Sequence, residues 1–199
     1  MIKKTNSTRR DFLALLSALG VYGSGLVRSF AQDQMPVRQI PEGDESLPVI
    51  GLGSSKVVSQ IATEGTGPLM AVLRILVEHG GSVVDTWPRD PKNDAGLGRV
   101  LRDPYFRENL FVTTKIDRIG KEAGIAQFRE TQRLYGRETI DLAQIFSLTD
   151  LDTHWPTLKD LKASGDARFI GVTVAQYDLY PQLESFLRKE NPDFIQLNY

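Results

Sequence analysis

Asp85 and Lys115 each close a short apolar run that reads as a strand, Ser82 to Asp85 and Phe111 to Lys115, and a helix-like stretch follows each. In a repeating strand-helix chain such polar strand ends gather at one end of the sheet, which puts a carboxylate and an ammonium in one mouth. Those two groups are material for proton chemistry. Taken singly, Asp85 reads more readily as the cap of the next helix and Lys115 as a solvated strand-end cation. Other chemistries are closed: the chain has no cysteine, which removes disulfides, thiolate zinc sites and thiol nucleophiles, and its two histidines, His79 and His154, cannot supply a three-histidine metal site. His79 ends a helix, where a cation suits the helix dipole. His154, beside Trp155 and Pro156, reads as structural.

The elements that must position Asp85 and Lys115 follow from hydrophobic period. Strands are expected near Val49 to Gly53, Ser82 to Thr86, Leu110 to Thr114, Ile140 to Ile145, Ala167 to Val172 and Phe194 to Asn198, with helices between them. The span 68–79 puts Leu69, Val72, Leu73, Leu76 and Val77 on one helical face and stops at Gly80-Gly81, and 154–163 does the same with Trp155, Leu158 and Leu161. Strands alternating with amphipathic helices predict a parallel α/β sheet with right-handed crossovers. No Gly-x-Gly-x-x-Gly opens a helix, so the dinucleotide fingerprint of a doubly wound sheet is missing. The expectation is a (β/α)8 barrel of the TIM type, incomplete, with about six of its eight strand-helix units. Two parallel edges would then be exposed.

Composition suits such a domain, with 41% apolar and 25% charged residues, which excludes disordered and collagen-like chains. Residues 1–31 are of another kind. They carry Lys3 and Lys4, the twin arginine Arg9-Arg10 before Asp11-Phe12-Leu13, a mildly apolar stretch to about Leu26, and the small-x-small ending Ser29-Phe30-Ala31. This resembles a twin-arginine signal peptide cleaved after Ala31, so that the twin-arginine export machinery is an expected partner and the periplasm or exterior the expected location. The apolar stretch is too short and too weakly apolar for a stable membrane span. The formal net charge of −1 becomes −5 once the segment's net +4 is removed, and this acidic body gives no reason to propose nucleic acid as a partner. Residues 32–47, with two prolines and no sustained period, read as a linker, which leaves 48–199 as the barrel domain.

Within 48–199, Val49-Ile50-Gly51-Leu52-Gly53-Ser54, Val84-Asp85-Thr86 with Gly96-Leu97-Gly98, Phe111-Val112-Thr113-Thr114-Lys115, Ile140-Asp141-Leu142-Ala143-Gln144-Ile145, Phe169-Ile170-Gly171-Val172-Thr173 and Asp193-Phe194-Ile195-Gln196-Leu197-Asn198-Tyr199 stand in order. By these patches the chain resembles the aldo-keto reductase superfamily, and its twin-arginine-exported bacterial branch in particular. The resemblance implies NADPH-dependent reduction of a small-molecule carbonyl substrate, in which a tyrosine gives a proton beside a lysine held by an aspartate and a histidine orients the carbonyl. Asp85 matches the aspartate and Lys115 the lysine. Thr173 and Gln196 match the residues that meet the nicotinamide amide, and Ser54 and Ser55 would line its approach. No metal is implied.

The match fails at two places. The tyrosine position holds Asp90, and the histidine position, two residues past Gln144, holds Phe146. A lysine near Asp90 would keep that carboxyl ionised, the wrong state for a proton donor, and phenylalanine donates nothing. Tyr177, after the fifth strand, lies on the correct side to substitute, whereas Tyr105 precedes the third strand and belongs to the opposite end. The family's phosphate contacts come mainly from loops after strands seven and eight. The sequence therefore supports an aldo-keto reductase-like oxidoreductase whose activity is weak or lost, against a non-catalytic periplasmic ligand-binding or scaffold protein, or a fragment without function.

Overall fold

The computed structural model of the chain describes residues 35–41, 44–53 and 56–198. The signal-like segment 1–31 and the Ser54-Ser55 pair lie outside the described residues.

Two short strands, β1 (Val37–Gln39) and β2 (Ser46–Pro48), pair antiparallel with Val37 opposite Pro48 and Gln39 opposite Ser46. They occupy what the sequence read as the end of a linker. Three-residue strands are too short to show a period, and their anchorage is tertiary: Glu45 pairs with Arg168, and Leu47 lines the interior cavity of the sheet together with Phe111 and Phe194.

The body is a six-stranded parallel sheet in sequence order, β3 (Gly51–Gly53), β4 (Val83–Asp85), β5 (Phe111–Ile116), β6 (Ile140–Phe146), β7 (Ala167–Val174) and β8 (Phe194–Leu197). Each crossover is helical. After two single turns, α1 (Lys56–Ser59) and α2 (Ile61–Glu64), come α3 (Gly67–Glu78), α4 (Pro91–Arg102), α5 (Pro104–Asn109), α6 (Lys121–Tyr135), α7 (Leu151–Ala163) and α8 (Tyr180–Leu187), the last preceded by a 3₁₀ turn at Tyr177–Leu179. This is the architecture of an incomplete (β/α)8 barrel, as the spacing predicts.

Strand alternation divides the side chains into two sets. Val112, Ile116, Ala143, Ile145, Val172 and Val174 face the helices and are buried against Leu97, Leu101, Phe128, Tyr135 and Leu158. The other set faces inward, where the rings of Phe111, Phe169 and Phe194 meet at 5.5–6.2 Å between centroids. Phe111 and Phe194 lie on β5 and β8, so the sheet is curled enough for strands three apart to touch across its interior. The glycines of the Gly96-Leu97-Gly98 motif let α4 settle: a Cβ at Gly96 would lie 2.2 Å from Ile61 Cγ2, and one at Gly98 2.5 Å from the Leu134 carbonyl oxygen. Gly80, with φ +83°, ends α3 where the sequence placed its stop. Observed boundaries of that helix differ from the expected 68–79 by one residue. The helix expected from His154 begins at Leu151, because Asp150 takes φ +47° and the chain turns into the helix earlier than the apolar stripe suggests.

Candidate active site

Asp85 ends β4 and Lys115 is the fifth residue of β5, so both project into the mouth from neighbouring strands. They form an ion pair in which the lysine side chain is 3% exposed and the aspartate 24%. Thr113, two residues before Lys115 and hence on the same face, donates Oγ1–H to Asp85 Oδ1 at 2.7 Å. Gln196 donates Nε2–H to Asp85 Oδ2 at 2.8 Å. Burial on its own would raise the Asp85 carboxyl, but the Lys115 cation and the hydrogen bonds from Lys115, Thr113 and Gln196 outweigh it and hold the group below the usual carboxylate range. Lys115 is drawn below its ordinary value, first by burial and also by the Arg89 cation, against the opposing pull of Asp85. Both readings of these residues as isolated surface groups fail here: Lys115 is not solvated, and the cap of α4 is Asp90.

Asp90 accepts from Lys92 N at 3.0 Å and from Asn93 Nδ2 at 2.6 Å, and Asn93 Oδ1 in turn accepts from Ala62 N at 2.8 Å. Its two oxygens hold a helix start. Phe146 is at the C-terminal end of β6, with its ring 5.1 Å from that of Trp87. Trp87 is 7% exposed, and the Lys115 ammonium lies 4.8 Å from its ring centroid and the Arg89 guanidinium carbon 4.2 Å. These are cation–π distances. The Trp87 ring therefore covers the lysine of the ion pair, and Phe146 packs against that ring. Trp87, Arg89 and Thr113 are site residues the sequence reading passed over. The signal for Thr113 was its two-residue offset from Lys115, and for Trp87 and Arg89 their place in the loop that follows Asp85.

Gln144 is register-paired with Lys115 and 2% exposed; its Nε2–H donates to the Val172 carbonyl at 3.5 Å, and its Oε1 has no partner among the described residues. Thr173 and Gln196 face each other across the β7–β8 ladder, so the structure brings together the two residues expected at a nicotinamide amide. The Gln196 Nε2 is committed to Asp85, which accepts only, and the amide's Oε1 is the end left for a ligand's N–H. A carboxamide fits this polarity. Tyr177 is 70% exposed with its ring 5.3 Å from that of Tyr180, and Tyr105 lies against Phe106 and Arg74, so the structure records neither hydroxyl at the Asp85–Lys115 pair.

The rim of the mouth is strained. Ser147, Leu148 and Asp150, directly after β6, have φ of +51°, +54° and +47°, a conformation that costs a non-glycine residue of order 1 kcal/mol. Three bonds hold it: Ser147 N donates to the Thr173 carbonyl at 2.8 Å, Ser147 Oγ to Gln176 Oε1 at 3.1 Å, and Gly120 N to Asp150 Oδ2 at 2.7 Å. His154 has a structural part below this rim. It is fully buried, and its Nε2–H donates to the Arg118 carbonyl at 2.5 Å. Among the described residues there is no cluster of metal-ligating side chains and no helix long and apolar enough to cross a membrane.

Solved structures share this arrangement of strands and helices. An aldo-keto reductase from Bacillus halodurans, in its holo form, superposes with a TM-score of 0.65 at 19% identity, over 83% of this chain and 58% of its own. A putative aldo-keto reductase from Pseudomonas aeruginosa gives 0.69 at 19%, over 84% and 70%, and a Bombyx mori aldo-keto reductase in complex with NADP gives 0.60 at 22%, over 83% and 59%. At such identities the likeness is one of fold. The chain spans less than two thirds of the length of the Bacillus and Bombyx proteins. No curated protein matches the sequence significantly. The profile of the Aldo/keto reductase family matches residues 50–199, the same stretch that forms the parallel sheet, its helices and the Asp85–Lys115 mouth, and the chain belongs to that family.

Proposed function

We propose that this chain is an aldo-keto reductase-type protein whose inherited chemistry is NADPH-linked reduction of small carbonyl compounds and whose own reducing activity is weak or lost. One observation carries the reading: the Asp85–Lys115 pair is intact, but the two residues that should complete it do other work. Asp90 caps α4 and Phe146 stacks on Trp87. With no general acid at the carbonyl, reduction falls by about 100- to 10,000-fold. Thr173 and Gln196 would hold the carboxamide end of NADPH, which supplies the hydride when bound; the bound NADP of the Bombyx relative supports the choice of cofactor. The twin arginine at Arg9-Arg10 supports export through the twin-arginine machinery to the periplasm, with carbonyl compounds there as substrates.

Fluorescence titration of NADPH against the mature chain tests the cofactor claim, and the absence of quenching at millimolar NADPH sinks it. Carbonyl-dependent NADPH oxidation by wild type and by Asp90→Tyr with Phe146→His tests the catalytic one. The reading predicts a rise of at least about 100-fold in the double variant. A second reading, non-catalytic ligand binding in the mouth, is favoured by Trp87 lying over Lys115. Thermal stabilisation by carbonyl compounds or sugars without NADPH oxidation would support it.

A further inference from the structure

The Lys115 ammonium lies in the mouth, yet its side chain is only 3% exposed and the centroid of the Trp87 ring is 4.8 Å away. The cover is held by packing and charge alone. The Trp87 ring meets that of Phe146 and carries the Arg89 guanidinium, while the indole N–H has no hydrogen-bond partner among the described residues. The backbone on either side of the ring has little freedom. Thr86 is buried, Pro88 and Pro91 fix their own φ and restrict the residues before them, and Asp90 is committed to Lys92 N and Asn93 Nδ2 at the start of α4. What remains is rotation of the Trp87 side chain about its own bonds. A place for the turned ring exists: Trp87 lines a cleft of about 580 Å³ together with Lys56, Val58, Ser59 and Arg89.

The two positions of the ring are balanced by opposing terms. Over Lys115 the indole gains cation–π attraction from two cations but keeps a buried donor unpaired; turned into the cleft it gives up the attraction and wets the donor. We propose that Trp87 is a side-chain gate on the mouth: with its ring over Lys115 the ammonium is closed off, rotation of the ring into the neighbouring cleft opens the way to it, and Arg89 is the latch of the closed position. Arg89 suits that part because it is exposed and touches the ring from the loop itself, so its hold can be released without disturbing the Asp85–Lys115 pair beneath. The gate regulates the mouth read above as an oxidoreductase site and rests on that reading only for what would enter. Its own test uses neither NADPH nor a substrate.

Two measurements on the full chain test the gate. In the first, lysines are labelled by reductive methylation with formaldehyde and cyanoborohydride, and the modified peptides are followed by mass spectrometry. Lys115 should react roughly tenfold or more slowly than the half-exposed Lys159, and Trp87→Ala should speed Lys115 by about tenfold or more with Lys159 unchanged. The second leaves Trp87 in place, so it does not depend on the folding of Trp87→Ala. With Trp155→Phe making Trp87 the single tryptophan, acrylamide quenching of its fluorescence reports the open fraction, and adding Arg89→Gln should raise the quenching constant about twofold to fivefold as the latch is lost. Lys115 labelling that is indifferent to Trp87→Ala, or Trp87 quenching that is indifferent to Arg89→Gln, overturns the gate and makes the ring a fixed part of the wall. A chain that passes both measurements yet never quenches NADPH keeps the gate and loses the cofactor claim alone.

Discussion

Gln196 Nε2 donates to Asp85 Oδ2 at 2.8 Å although strands β5, β6 and β7 lie between them in the sheet. The bond is possible because a parallel sheet twists, and six twisted strands curl far enough to bring the second and the last within one side chain's reach. At the same level Asp85 holds Lys115 and Thr113, so a single carboxylate ties β4, β5 and β8. The phenylalanines below repeat the closure in apolar form.

Breaking this tie should separate two effects. Gln196→Leu removes one hydrogen bond at an exposed residue and should cost about 1 kcal/mol in urea unfolding. Asp85→Asn leaves the Lys115 ammonium buried without its counter-charge and should cost about 3 kcal/mol, the low end for a broken buried pair because Asp85 is partly exposed. The double variant should fall short of the sum by at least ~0.5 kcal/mol. Strict additivity would mean that the clasp does not form.

Asp90→Ala should lower stability by about 1 kcal/mol through loss of the α4 cap, and Asp90→Ser should recover most of it. Thermal melts of the two variants decide the matter. Equal melting temperatures for wild type and Asp90→Ala would leave Asp90 without a structural role and reopen a chemical one.

Asp166 is held at a pKa of about 2, first by hydrogen bonds from Arg129 and also by those from Ser164 and Gln132. A carboxyl lowered from an ordinary 3.8 stabilises the fold above that value and loses its contribution as pH falls toward 2. Arg129 is half-exposed, so solvent screening reduces the contribution to on the order of 1 kcal/mol. Stability measured from pH 5 to pH 2 should therefore fall less steeply in Asp166→Asn than in wild type. Parallel curves would rule the contribution out.

Gly124 lies under the buried imidazole of His154, where a Cβ would come within 2.4 Å of Cε1. Gly124→Ala should destabilise by about 1–3 kcal/mol through overpacking, and His154→Ala in the same chain should relieve part of that cost. If the double variant is no more stable than the sum of the two singles allows, the contact is not the cause.

Tyr135 is fully buried and its hydroxyl has no partner among the described residues, which pushes its ionisation well above the ordinary range. Tyr135→Phe removes an unpaired polar atom and should be neutral or stabilising by up to ~1 kcal/mol, as read from the urea midpoint. A marked loss of stability would reveal a partner for the hydroxyl.

The parts of the fold with a strong local signal were legible in the sequence. Short runs such as Phe111–Ile116, buried on both faces as a parallel strand is, and the apolar stripe of α3 are set by local composition and period, and the structure follows them closely. The β1–β2 ladder was not legible, since its partners are Arg168 and the interior phenylalanines, more than sixty residues away. Trp87 and Arg89 were missed for a similar reason: a loop side chain acquires meaning only from what the curled sheet places beneath it.

The sequence by itself determined the parallel strand-helix order, the residues at the strand ends and the identities Asp90 and Phe146, because these are properties of local period and spacing. Tertiary structure alone decided that Asp85 bonds Gln196 across the mouth, that Asp90 caps a helix, and that the Trp87 ring, packed on Phe146, lies over Lys115. Those outcomes depend on how far six strands twist and on which side chains then compete for the same carboxylate and the same space, and no local pattern encodes that competition.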